Sequence, residues 1–325
     1  MSQCQTIVMK KDVLIAADVD RSFLERIGRD SRFLVRYQPI REEVELAREV
    51  SQCEVLVTRH FNKVTSRVIE AAQRLEVIAQ GTSGIDNIDQ QTSLRRGIAI
   101  LNVPGQNANA VAELIIGLMI TLTRTVPFYN AQVRSGIWER GDCATRRELR
   151  SHQLGIIGLG RVGSRVSELA GTFGCSPVAY DPYMTDQQFL NRGAARVDTL
   201  EALLSRSEIL TIHVPLTDET RLMLRPQVLD LLPRGAMFLN ASRGEVANHS
   251  DLFDRLESGA LGGLALDVYD PEPPTSMAWP DDVRFIATPH IAGCTREAKE
   301  SIGNALYEKL CIHYGVDPVP GPHLS

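Results

Sequence analysis

The chain has 325 residues, enough for one large domain or two ordinary ones. Hydrophobic residues make up 43% and charged residues 23%, with a formal net charge of −5, which argues against nucleic acid or an anionic membrane as the main partner. No apolar run is long enough for a membrane span, and the opening stretch MSQCQTIVMKKDVLIAADVD lacks the basic and apolar segments of a signal peptide.

Short apolar runs at 13–17, 33–37, 55–58, 77–80 and 98–102 predict strands. Helix-like stretches at 21–28, 42–50 and 64–72 separate them, the last opened by Thr65 or Ser66. Such alternation predicts parallel βαβ units. A long apolar segment, 109–126, carries Glu113 and Arg124 and is bracketed by Pro104 and Pro127, so it predicts one buried helix rather than a membrane span. A polar arm, 129–151, follows with Trp138. A second strand series then runs through 154–157, 177–180, 195–197, 209–214, 236–240, 262–267 and 284–288. Residues 296–314 predict a last helix, and the Pro/Gly-rich stretch from Gly315 a loose tail. Two α/β domains with parallel sheets account for length and pattern. The six cysteines, Cys4, Cys53, Cys143, Cys175, Cys294 and Cys311, have neither zinc-site nor disulfide spacing. Reduced thiols in a cytoplasmic protein, and no metal, are expected.

Gly158-Leu-Gly160-Arg161-Val162-Gly163 follows the strand 154–157 and opens a helix, 162–173. A strand, a glycine-rich turn and a helix N-terminus form a dinucleotide-binding signature. Gly158 suits the tight turn, Gly160 the approach of a pyrophosphate, and Gly163 close helix–strand packing, with the helix dipole facing the phosphates. Asp181 ends the next strand, roughly 20 residues on, where a carboxylate takes a ribose 2′-hydroxyl and repels a 2′-phosphate. NAD is therefore expected over NADP.

Three further residues fall at or just past strand ends, where ligands collect in doubly wound sheets. These are Arg243, Glu272 and His290. Hydride transfer to a 2-keto acid needs a carboxylate clamp, which a guanidinium fork provides. It also needs a proton donor that titrates near neutral pH, as histidine does. A carboxylate beside that histidine orients the ring and favours imidazolium.

Together these residues resemble the D-2-hydroxyacid dehydrogenase family. The matching text includes Gly84-Ile-Asp-Asn-Ile-Asp89, Asn102-Val-Pro-Gly105 with Asn107, Val111-Ala-Glu113, residues 154–163, His213-Val-Pro-Leu-Thr217, Asn240-Ala-Ser-Arg-Gly-Glu-Val246, Ala265 through Pro273, and Thr288-Pro-His-Ile-Ala-Gly293. The resemblance implies a Rossmann NAD-binding domain, 103–295, inserted into a flavodoxin-like substrate domain made of 1–102 and 296–325, with the active site in the cleft. It implies Arg243 on the substrate carboxylate and keto oxygen, His290 as general acid and base, and Glu272 paired with His290. Main-chain N–H groups at Ser83 and Gly84 would help hold the carboxylate. Asp267 would lie near the nicotinamide. Arg161, Val162 and Ala241 would join the cofactor contacts, and His213, Pro215 and Thr217 would line the adenine side. A homodimer joined through the 109–126 helix and the Trp138 arm is expected.

Two stretches depart from the family pattern. Thr82 stands where many members have glycine, and Arg150-Ser-His-Gln-Leu154 replaces a commoner Gly-Lys-Thr. In motif detail the chain most resembles phosphoglycerate dehydrogenase-like members, and, ending at Ser325, is expected to lack their regulatory domain. Arg59, after the strand 55–58, resembles their phosphate-binding position, and a surface arginine is the alternative. The expected substrate is a small D-2-hydroxy or 2-keto acid, with D-3-phosphoglycerate and phosphohydroxypyruvate as candidates. Alternatives are a glyoxylate/hydroxypyruvate reductase, a D-lactate-type dehydrogenase and, from another class, an NAD-sensing corepressor-like binding protein.

Overall fold

The computed structural model describes residues 10–143 and 146–320. Cys4, two residues of the polar arm (144–145) and the chain beyond 320 lie outside the described residues. The chain divides into two compact units, Met1–Asn107 with Arg296–Ser325, and Ala108–Thr295.

The first unit holds a five-stranded sheet: β1 (Lys11–Ile15), β2 (Phe33–Tyr37), β3 (Val55–Thr58), β4 (Val77–Gln80) and β5 (Ala99–Asn102). All pairs are parallel, in the order β2-β1-β3-β4-β5, the flavodoxin-like arrangement. Every residue of β3 and β4 is buried, as near-continuous apolar strands covered on both faces require. On one face Leu14, Leu56 and Ile78 pack with Leu46, Val68 and Ile69. On the other, Val13, Val57 and Val77 meet Phe23 and Ile27, together with Leu306, Tyr307 and Leu310 from the helix Arg296–His313.

Beyond that helix the expectation of a loose tail is corrected as far as Pro320. Val316 and Val319 pack against this second core. Val319 N–H donates to Tyr307 Oη at 3.0 Å, while Arg32 and Arg26 donate to the carbonyls of Asp317 (2.8 Å) and Val319 (3.3 Å). Pro and Gly here shape a docked segment whose polar groups are satisfied by long-range partners.

The second unit holds β6 (Leu154–Ile157), β7 (Val178–Tyr180), β8 (Ala195–Arg196), β9 (Ile209–Ile212), β10 (Ala236–Asn240), β11 (Leu261–Leu266) and β12 (Phe285–Ala287). The order is β12-β11-β10-β9-β6-β7-β8, all parallel. Strand order reverses between β6 and β9, a topological switch point of the Rossmann type. The single helix expected over 109–126 is instead two, Ala108–Thr123 and Val126–Arg134, bent by 62°. Thr125 sits at φ 48° in the break, and Pro127 has no N–H with which to continue the ladder. The first helix buries most of its surface, where Val111, Ile115, Met119 and Leu122 pack with Ile156, Leu239 and Ala265, and leaves a narrow exposed stripe at Asn109, Glu113 and Gly117. Among the described residues, no single helix is long and apolar enough to cross a membrane.

Candidate active site

In the second unit, the C-terminal strand ends carry the candidate residues. After β6, Gly158 takes φ 82°, and a Cβ there would lie 2.6 Å from the carbonyl oxygen of His213. A Cβ on Gly163 would lie 2.1 Å from the Gly158 carbonyl oxygen. These two glycines let strand, turn and helix close on one another. Gly160 differs: a Cβ there would meet nothing within 4 Å. It opens the helix Arg161–Thr172 without a side-chain cap, with Arg161 and Val162 in the first turn. The space at Gly160, beside an uncapped helix N-terminus, fits a pyrophosphate.

The turn is anchored through Leu159. Its N–H donates to Asp181 Oδ2 at 3.0 Å, and its carbonyl accepts from the Arg192 guanidinium. Asp181, just past β7, also accepts from Tyr183 N–H at 3.1 Å. Arg192 has no place in the glycine signature, and sequence reasoning missed it. After β9, the His213 ring bonds Thr211 Oγ1 at 3.0 Å, and desolvation pushes its pKa down to about 3, so the ring is neutral. Pro215 and Thr217 form an exposed loop closed by Thr220, which donates to the Pro215 carbonyl at 2.6 Å.

Past β10, Ala241 leads into a turn built by Asn240. Its Oδ1 accepts from Ser242 N–H (2.9 Å) and Oγ (2.8 Å), and its Nδ2 donates to the Arg243 carbonyl (2.8 Å). A Cβ on Gly244 would lie 2.1 Å from the carbonyl carbon of Tyr269, so the Arg243 turn and the segment after β11 touch backbone to backbone. The Arg243 guanidinium donates to the Ser242 carbonyl at 2.7 Å.

Glu272 and His290 meet. Glu272 Oε2 lies 2.8 Å from His290 Nδ1, and its Oε1 accepts from Tyr269 N–H at 2.9 Å. Both side chains keep about a third of their surface, 31% and 28% respectively. His290 has φ 55°, an uncommon conformation for a residue with a Cβ. Asp267 holds it there. Its fully buried carboxylate accepts from Thr288 Oγ1 (2.6 Å), Ile291 N–H (2.8 Å) and Ala292 N–H (2.8 Å). His290 N–H donates to the Asp267 carbonyl at 2.9 Å.

In the first unit, Arg59 follows β3 and Ser83 and Gly84 follow β4. Arg59 is 9% exposed, which corrects the alternative of a surface arginine. Its Nη1 donates to the Asp18 carbonyl at 3.3 Å, and its buried Nε has no hydrogen-bond partner among the described residues. Ser83 is exposed and Gly84 half-buried. Among the described residues no group of three or more His, Cys, Asp or Glu could hold a metal ion.

Residues 116–292 match the family model described as D-isomer specific 2-hydroxyacid dehydrogenase, NAD binding domain. The chain is 34% identical over 315 residues to the D-3-phosphoglycerate dehydrogenase of Sus scrofa, covering 97% of this chain and 58% of that protein. It is 34% identical over 283 residues to the hydroxypyruvate reductase of Thermotoga maritima, covering 85% and 89%. The chain spans about half the length of the curated phosphoglycerate dehydrogenases it matches, from 50% to 58%. The NAD+-bound 3-phosphoglycerate dehydrogenase of Entamoeba histolytica shares the fold at a TM-score of 0.80 and 26% identity, covering 94% of this chain and 96% of that one. A matched NAD-binding domain and relatives aligned along nearly the whole chain agree with the strand-end chemistry, and the chain belongs to the D-isomer specific 2-hydroxyacid dehydrogenase family.

Proposed function

We propose that this chain is an NAD-dependent oxidoreductase that interconverts a small D-2-hydroxy acid and its 2-keto acid. The observation that carries the reading is the 2.8 Å contact between His290 Nδ1 and Glu272 Oε2, at strand ends neighbouring that of Arg243. Bound NADH supplies the hydride. Glu272 takes Nδ1–H of His290 and fixes the ring, so Nε2 is the nitrogen that gives a proton to the keto oxygen, and takes it back in the reverse direction. Arg243 clamps the carboxylate and keto oxygen through its planar fork. Ser83 and Gly84 hold the carboxylate through main-chain N–H groups. Gly160, Arg161 and Val162 hold the pyrophosphate on the turn that Gly158 and Gly163 close, Asp181 holds the ribose, and His213, Pro215 and Thr217 line the adenine side. Ala241 and Asp267 serve the nicotinamide side. The Asp181 carboxylate favours NAD over a cofactor with a 2′-phosphate.

Phosphohydroxypyruvate and D-3-phosphoglycerate are the first substrate pair to test, supported by the Sus scrofa relative and by the place of Arg59 just past β3. Hydroxypyruvate is the second, favoured by the burial of Arg59 and by the Thermotoga maritima relative that the chain covers nearly end to end. A cytoplasmic homodimer is the proposed form. Exposed Phe128, Val133, Ile137 and Trp138 on the second helix and the arm supply apolar area for a second copy.

The test is NADH oxidation against phosphohydroxypyruvate, hydroxypyruvate, glyoxylate and pyruvate, with His290→Gln alongside. Turnover of at least one acid, lowered roughly 10²–10⁴-fold in the variant, is expected. No turnover of any acid, or an unimpaired variant, refutes the assignment.

A further inference from the structure

Three carbonyls in succession after β4 are held from inside the first unit. The Thr82 carbonyl accepts from Val103 N–H at 3.2 Å. The Ser83 carbonyl accepts from Asn102 Nδ2 at 2.7 Å. The Gly84 carbonyl accepts from Thr82 Oγ1 at 2.9 Å and Gln80 Nε2 at 3.2 Å. Gln80 is fully buried and fixed in turn: its Oε1 accepts from Thr58 Oγ1 at 2.6 Å, and its Nε2 also donates to Thr82 Oγ1 and Asn87 Oδ1, both at 2.8 Å. Asn87 passes the tie back to the Arg59 and Asn62 carbonyls at 3.1 and 2.7 Å.

A trans peptide is planar, so its carbonyl and the next residue's N–H point in opposite directions. Fixing the Thr82 carbonyl toward the end of β5 turns the Ser83 N–H away from β5. Fixing the Ser83 carbonyl on Asn102 does the same for the Gly84 N–H. Among the described residues no acceptor takes either N–H. Two adjacent main-chain donors, held on one side by bonds to their own peptides, form a preorganised seat for an anionic oxygen pair.

We infer that Asn102 and Thr82 are positioning residues that lock the Ser83 and Gly84 N–H groups into a carboxylate seat and so set affinity for the keto acid. Asn102 acts through the peptide before Gly84, and Thr82 through the carbonyl after it. Gly84, which would otherwise turn freely, is held from both sides. This rests on the proposed dehydrogenase function, because it assigns those N–H groups to a substrate carboxylate.

The test is steady-state reduction of hydroxypyruvate by the wild-type chain, Asn102→Ala, Thr82→Val and Thr82→Ser, with oxamate as a carboxylate-bearing inhibitor. Asn102→Ala is expected to raise KM and the oxamate inhibition constant roughly tenfold, the scale of one weakened charge-assisted hydrogen bond. Its kcat and NADH affinity stay within about twofold. Thr82→Val shifts the same two constants severalfold, and Thr82→Ser, which keeps the hydroxyl, restores them. KM and oxamate constants within twofold of wild type in both Asn102→Ala and Thr82→Val overturn the positioning role and leave the dehydrogenase function standing. So does a kcat loss at unchanged KM. A wild-type chain that neither turns over 2-keto acids nor binds oxamate overturns both. Melting midpoints of the Thr82 pair identify a folding defect, which lowers apparent kcat through lost active protein and leaves KM and the oxamate constant unchanged, unlike an affinity change.

Discussion

Replacing Asp267 with asparagine tests the support beneath His290. Three donors converge on that buried carboxylate, two on Oδ1 and one on Oδ2. An asparagine keeping its oxygen in the Oδ1 position retains Thr288 and Ile291, but turns an amide N–H toward the Ala292 N–H. One buried donor then loses its acceptor, at about 1–3 kcal/mol, and the two remaining bonds lose the strength that ionisation gave them. A total near 3 kcal/mol lowers the melting midpoint by roughly 6–12 °C for a unit of this size. Released from Asp267, His290 relaxes from φ 55° toward ordinary backbone, and its ring leaves Glu272. Misplacement by about 1 Å costs about 10²-fold in rate. The assay pairs thermal unfolding with kcat and NADH affinity. A carboxylate that served only the nicotinamide would lose NADH affinity at an unchanged midpoint, and that result refutes the reasoning.

Two glycines of the nucleotide turn separate fold from ligand. Gly163→Ala drives a Cβ to 2.1 Å from the Gly158 carbonyl oxygen and should lower the unfolding midpoint, whereas Gly160→Ala meets open space and should keep the midpoint while NAD affinity drops at least tenfold in titration. Equal midpoints for the two would contradict the packing assigned to Gly163. In the first unit, burial raises the Asp30 pKa, but hydrogen bonds from Arg32 and Tyr307 outweigh it and hold the group below its usual 3.8. A depressed native pKa gives stability that is complete above the unfolded value and lost as pH falls through the native one. Urea midpoints should therefore drop below about pH 4, less steeply in Asp30→Asn, and parallel profiles would count against it.

Much of this was legible because parallel sheets leave a strong mark. Strands buried on both faces read as apolar runs, so β3, β4, β6 and β10 match their predicted bounds, and the half-exposed edge strand β2 matches through its Phe, Leu, Val and Tyr. The glycine signature and the Arg, Glu and His positions are local in sequence, and each falls at a strand end. What resisted reading depends on partners far along the chain. A mostly buried apolar stretch hides its own break, since the wide apolar face runs on past Thr123 with little change in composition, and only Pro127 hinted at the bend. The segment after Gly315 has the composition of a loose end, but Arg26 and Arg32 tie it down across nearly the whole sequence, and Tyr307 holds it from the preceding helix. Asn240, Arg192 and Asn102 act by holding other residues' backbone, and no spacing announces that.

Closure of the first unit has a consequence for synthesis. The sheet face formed by Val13, Val57 and Val77 is completed by Leu306, Tyr307 and Leu310, and Tyr307 Oη bonds Asp30 across 277 residues. All of the second unit's residues emerge from the ribosome between these partners. The early strands, covered on this face in part by Phe23 and Ile27, must therefore wait with the rest of it bare until the last helix appears, so nascent chains stalled before Arg296 should be the species that chaperones hold and that aggregates.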